Sequence, residues 1–300
     1  MLRNWFLLAV LSAASLNNVQ PIFAADIRLA PFLDSPLASG AVLEGEIERG
    51  DCKKVRDFAY QHGTARIYLA SPGDSLAEAL ELGRLIRTLK LQTFVPAKRG
   101  GELRGRQAAD HGVKDPENLK CASACFFAFV GGIYRSQDYY FGTPALGIHR
   151  PYLSESELRL LSSGEAISAA RRISIIVENY LNEMGVSTKY VDQTFSIPKD
   201  DVHWITLDQF KVDFEGVIPE LKEWIQVREK VELEEVERRD EATLSTDERS
   251  LHNWVKGIMS DPQLREQFIL DLLSTEYWQK ILEDSDKSRS VRLSRCAHSN

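Results

Sequence analysis

Between residues 41 and 217, short β-branched and aromatic runs alternate with stretches of helical period. That alternation limits what the chain can fold into more than any other feature. Residues 41–47 (AVLEGEI) read as a strand and residues 51–61 as a helix. Residues 65–70 (ARIYLA) form a second strand, stopped by Ser71-Pro72-Gly73. Leu76, Leu80, Leu82, Leu85, Ile86 and Leu89 then recur at helical spacing, and 92–96 (QTFVP) reads as the next strand. Strands separated by helices pair in parallel, because the return to the same sheet edge needs a crossover long enough to hold a helix. The expectation is an α/β domain over 41–217 with a mostly parallel sheet and surrounding helices.

The rest of the chain is placed around that frame. Residues 25–40 show no clear period and read as a lead-in. Residues 97–120 are polar, Gly-containing and locally basic (Lys98, Arg99, Arg104, Arg106), which predicts a long loop. The run Cys121 to Gly132 (CASACFFAFVGG) predicts a buried helix of small and apolar residues. Short strands are expected at 138–141 and 145–149, and helix over 154–194, with Ser154 and Glu157 in capping-box spacing. Residues 202–205 are a last strand candidate, followed by a short helix to Gly216. Beyond it the character changes: residues 215–249 carry twelve acidic and six basic side chains. Helical stretches near 246–260 and 262–284 follow, so 218–300 reads as an acidic, all-helical extension. Trp224, Trp254 and Trp278 are large and apolar, which predicts that this extension packs on the α/β core or on a neighbouring subunit.

Charge and cysteine usage narrow the function classes. Forty-four acidic against 37 basic residues give a net charge of −7, so the chain lacks the basic balance that nucleic acid requires. Four cysteines in 300 residues exclude a small disulfide framework but leave room for one or two bridges. Arg3 precedes an apolar run at 5–16 (WFLLAVLSAASL), too short to span a bilayer comfortably, and small residues follow at Ala24 and Ala25. This predicts a signal peptide over 1–24, a periplasmic or secreted protein, and no integral membrane segment once it is removed. An uncleaved anchor is the alternative.

Three local features could carry chemistry. Ser123 stands at a helix start between Ala122 and Ala124, where small neighbours admit a substrate carbonyl and helix N–H groups face a developing oxyanion. Serine is also a preferred N-cap, so a capping role competes with a nucleophilic one. His149 ends an apolar strand and sits two residues before Pro151, a place from which a base can be presented; a structural histidine is the alternative. Ser71 to Ser75 (SPGDS) is a tight strand-to-helix turn that can point N–H groups at an anion. A dinucleotide fingerprint, a P-loop and Cys/His spacing for zinc are all missing from the sequence, so the expectation is no metal and no cofactor. Spacing leaves the pairing of Cys52, Cys121, Cys125 and Cys296 open.

Strand–Ser-Pro-Gly–helix, a serine in a small-residue helix start, and Ile-His-x-Pro with its histidine 26 residues after that serine together resemble the ClpP/crotonase superfamily. Within it, the pattern is similar to exported bacterial ClpP-like serine peptidases with a Cys-x-Ser-x-Cys core. The resemblance covers about residues 41–220. It implies Ser123 as nucleophile, His149 as general base, and an oxyanion hole at Gly73 and the N–H of Ala124. It also implies an acid before the last strand, Asp201 or alternatively Asp200. A peptide or protein substrate is implied, and a homo-oligomer is compatible with it. The chain departs from the family where a second glycine usually follows the position of Gly73: here it is Asp74. A carboxylate turned inward there opposes an oxyanion, which keeps a catalytically weak or inactive scaffold of the cell envelope as the alternative function. An acyl-CoA enzyme of the crotonase branch fits less well with an export signal and a Ser/His pair.

The mature chain is expected to begin close to Ala25, checked by N-terminal sequencing of protein recovered from the envelope fraction. Intact Met1 in the membrane pellet would show an anchor instead.

Overall fold

The computed structural model describes residues 25–30, 39–96, 113–137, 145–151, 160–198, 200–239 and 243–283. The expected signal peptide, most of the loop at 97–120, the strand at 138–141 and the cap at Ser154 and Glu157 lie wholly or partly outside the described residues.

The main sheet runs β1 (Asp26–Leu29), β2 (Ser39–Glu44), β3 (Thr64–Ala70), β4 (Gln92–Val95), β6 (Tyr134–Gln137), β9 (Gly216–Val217) in spatial order. The joins β2–β3, β3–β4 and β4–β6 are parallel, and the two edges are antiparallel. Every residue of β3 is buried, as a central strand covered on both faces requires. The lead-in expected at 25–40 is corrected at Asp26–Leu29. That segment is an edge strand antiparallel to β2, and its exposure along the strand hides it from a periodicity reading.

Helix α1 (Asp51–His62) and helix α2 (Leu76–Thr88) connect the parallel strands. α2 starts where Ser75 accepts the Glu78 N–H, and it buries Leu80, Leu82, Leu85 and Ile86. It meets α3 (Ala124–Phe129) at main-chain distance near Gly83, where a Cβ would lie 2.7 Å from the Phe127 carbonyl and 1.8 Å from the Tyr180 hydroxyl. That hydroxyl donates to the same carbonyl at 2.6 Å.

The buried helix expected over 121–132 is corrected at its start. Cys121–Ala122 is a strand, β5, and only Ala124–Phe129 is helical. β5 belongs to a second sheet in the order β5, β7 (Leu146–Ile148), β8 (His203–Trp204), in which β5 and β7 are parallel and β7 and β8 antiparallel. A parallel bridge between Ser71 and Cys121 attaches this small sheet to the end of β3. The helix expected over 154–194 is broken within its described part. α4 (Ser163–Glu183) starts with a Ser162–Glu165 capping box, and α5 (Lys189–Ser196) follows Gly185, whose φ is +65°. α6 (Leu207–Asp213) leads to β9.

The remaining helices are α7 (Pro219–Arg238), α8 (Thr246–Ser260) and α9 (Pro262–Glu283). α9 docks on the end of the main sheet through a buried polar cluster. Arg66 on β3 donates from Nε to Asp271 at 3.2 Å and pairs with its other oxygen, while Gln92 on β4 donates to Asp271 at 3.0 Å. Trp278 is buried in the α/β core, edge-on to Tyr60, and its indole N–H donates to the Thr64 carbonyl at 2.7 Å. Trp254 packs on Phe268 in a second cluster, whereas Trp224 stays 36% exposed, against the expectation for all three. Among the described residues no helix is long and apolar enough to cross a membrane.

Removing one member of a buried ion pair leaves an uncompensated charge, which costs about 3–5 kcal/mol. Asp271→Ala is therefore expected to destabilise the protein by about that amount, read by urea denaturation. A loss under about 1 kcal/mol would show that α9 is not held by this pair.

Candidate active site

Ser123 sits between β5 and α3 with φ +58° and ψ −125°, one of three non-glycine residues of positive φ among those described. Such a backbone costs of order 1–3 kcal/mol and persists only where its surroundings enforce it. They do so here. The Ser123 N–H donates to the Gly147 carbonyl at 3.0 Å, Cys121 N–H to the Ala145 carbonyl at 2.7 Å, and Ala122 N–H to the Ser71 carbonyl at 3.0 Å. A disulfide joins Cys121 to Cys125 across the elbow, with Cα atoms 5.2 Å apart. Cys52 is disulfide-bonded as well. Ser123 makes no side-chain capping bond to α3, so the capping alternative is not what the structure shows. A sharp strand-to-helix turn of this kind holds a serine hydroxyl clear of the main chain.

The turn from Ser71 to Asp74 lies directly on this elbow. At Gly73, φ is +104°, and a Cβ would meet the Ala122 carbonyl, the Ala124 nitrogen and the Ser123 Cβ, each at 2.7 Å. The N–H of Gly73, the expected oxyanion donor, donates to the Ser71 hydroxyl at 3.0 Å. The Gly73 carbonyl and the Ser75 N–H both bond to Ile47, at 2.7 and 2.9 Å. The N–H of Asp74 lies between these groups and has no acceptor among the described residues, and neither has that of Ala124. Asp74 and Ala124 are thus the two available donors. Asp74 holds φ +116°, a glycine-like conformation, and does not cap α2, since Ser75 does.

His149 follows β7 and faces the same space. Ser123, Ala124, Gly73, Asp74 and His149 line one cavity of about 620 Å³, together with Glu46 and an apolar set that includes Leu80, Phe127, Ile173 and Ile176. The His149 Nδ1 lies 3.0 Å from the Arg150 carbonyl. A carbonyl only accepts, so this contact places the proton on Nδ1 and leaves Nε2 as the basic nitrogen. Asp200 and Asp201 are both exposed and are not among the cavity-lining residues. Asp201 lies two residues before β8, whose His203 pairs with Ile148, the residue that precedes His149.

Glu46 was not singled out by the sequence, where it is one acidic residue in a strand candidate. Its carboxyl is held above the usual range by burial and then by the charges of Asp74 and Glu48. Among the described residues there is no group of three or more metal-ligating side chains.

Asp74→Gly is expected to raise the thermal midpoint. The strain at this φ is of order 1–3 kcal/mol, and glycine's larger unfolded-state entropy offsets only about 0.5–1 kcal/mol of the gain. Gly73→Ala is expected to lower the midpoint, because its Cβ meets main-chain atoms that cannot yield. Calorimetry of both variants checks the pair; a reversed order would mean that the turn is not seated on the elbow as described.

No family model matches this chain, and no curated protein matches it. Solved structures do. A ClpP1 mutant from Listeria monocytogenes is 15% identical, with a TM-score of 0.36, covering 58% of this chain and 85% of its own. A mutant of a membrane-bound stomatin-specific protease is 16% identical, with a TM-score of 0.37, covering 62% of this chain and 81% of its own.

Proposed function

We propose that this protein is an exported serine-type peptidase or hydrolase of the ClpP-like kind. The observation that carries the reading is Ser123, held uncapped in a strained elbow on a cavity that it shares with His149 and two unengaged main-chain N–H groups. In the proposed reaction the Ser123 hydroxyl attacks the substrate carbonyl carbon and its proton passes to His149 Nε2. The N–H groups of Asp74 and Ala124 receive the oxyanion. The imidazolium then protonates the leaving amine or alcohol, and water, deprotonated by His149, hydrolyses the acyl-serine. The Arg150 carbonyl fixes the tautomer, and Asp201 supports the imidazolium charge from the segment just before the neighbouring strand, with Asp200 as the alternative.

The scaffold reading rests on a single feature, the Asp74 carboxylate attached to one of the two oxyanion donors. Labelling with a fluorophosphonate probe separates the two. Wild type is expected to be labelled, Ser123→Ala not at all, and His149→Ala slower by about a thousandfold or more. Asp201→Ala is expected to fall less steeply than His149→Ala, because the Arg150 carbonyl already holds Nδ1. No labelling of wild type or of Asp74→Gly would favour the scaffold.

A further inference from the structure

The cavity at Ser123 has lining of two chemical kinds. Leu80, Phe127, Ile173 and Ile176 are apolar, while Glu46 and Asp74 are carboxylates, and no Lys or Arg is among the lining residues described. The two acids are close enough for the Asp74 charge to act on Glu46. Neither makes an ion pair or a side-chain hydrogen bond among the described residues, in a chain with 37 lysines and arginines. Neither is needed to build its own segment. α2 is capped by Ser75, and Ile47 is paired through the main chain of Gly73 and Ser75. Glu46 is half-buried and Asp74 exposed at the cavity mouth, so the two like charges meet on one side of the cavity with no cation beside them among the described residues.

We infer that this cavity takes a lysine or arginine side chain next to the scissile bond, its stem on the apolar lining and its cationic head at Glu46 and Asp74. The inference rests on the hydrolase reading for the words "scissile bond", and on the cavity alone for the cation. Lysine and arginine are the side chains that combine an alkyl stem with a charged tip, which is the combination this lining offers. A cation there relieves the repulsion between the acids while gaining charge-assisted hydrogen bonds. A bare divalent ion fits less well, since calcium or magnesium asks for about six oxygen ligands and the side chains here give two carboxylates. The position next to the reacting bond follows from Gly73, which touches Ser123 and directly precedes Asp74.

The test measures binding in Ser123→Ala, full-length, so that nothing is turned over. Two blocked peptides are compared by calorimetry at low ionic strength. They differ at one central residue, lysine or norleucine, which share a four-carbon stem and differ in the ammonium group. Lysine is expected to bind about tenfold tighter, with the advantage shrinking as salt is added. Adding Glu46→Gln is expected to remove most of that advantage, leave the norleucine peptide unchanged, and leave the thermal midpoint equal or higher. Equal binding of the two peptides, or binding of neither, overturns the inference. So does a lysine advantage that survives both Glu46→Gln and Asp74→Asn. Fluorophosphonate labelling of wild type reports separately on hydrolysis. Labelling with equal peptide binding sinks the cation subsite alone, and a lysine preference without labelling supports the subsite and removes the hydrolase reading.

Discussion

The turn Ser71–Asp74 rests on the Cys121–Ala124 elbow at main-chain contact, and the rest of the site is arranged around that contact. The approach is possible because Gly73 has no Cβ, and it is directed by the parallel bridge between Ser71 and Cys121. Once the two segments touch, several consequences follow from geometry alone. The Ser71 hydroxyl takes the Gly73 N–H, leaving the next one unengaged. The elbow is pressed from one side by the turn and held from the other by Gly147 on β7. β7 then ends at Ile148, directly before His149, so the strand that supports the serine also delivers the imidazole.

A second constraint works at the opposite scale. Asp271 lies 205 residues from Arg66 in sequence, yet the two are buried against each other with Gln92 beside them. A buried pair of this kind adds little net stability, since desolvation offsets much of the attraction, but it penalises any arrangement in which one partner is buried without the other. It therefore acts on the docking geometry of α9. Trp278, seated in the α/β core, supplies the apolar area that the polar cluster does not.

Much of this was legible in the sequence because it depends on local period. The all-buried strand β3 and the apolar face of α2 were read directly, as were the serine, the histidine and the turn. What escaped depends on distant partners. Cys121-Ala122 looks helical among small residues, and becomes a strand only because Leu146 and Gly147 pair with it. Asp26–Leu29 becomes a strand only against the partner residues Ala41 to Glu44. The engagement of the Gly73 N–H depends on one hydroxyl, that of Ser71, which no spacing rule reports. Glu46 is invisible as a cavity residue until the chain brings it beside Asp74.

The disulfide between Cys121 and Cys125 encloses Ser123 in the tightest covalent ring of the described chain. Both sulfur-bearing residues are fully buried. The ring restricts the unfolded ensemble locally, so fewer unfolded conformations compete with the unfavourable backbone that Ser123 adopts. The geometry of the serine is thereby tied to electron supply. A chain of this sequence folding where thiols are kept reduced would have to hold the same elbow by its hydrogen bonds and its contact with the Ser71–Asp74 turn, without the covalent closure.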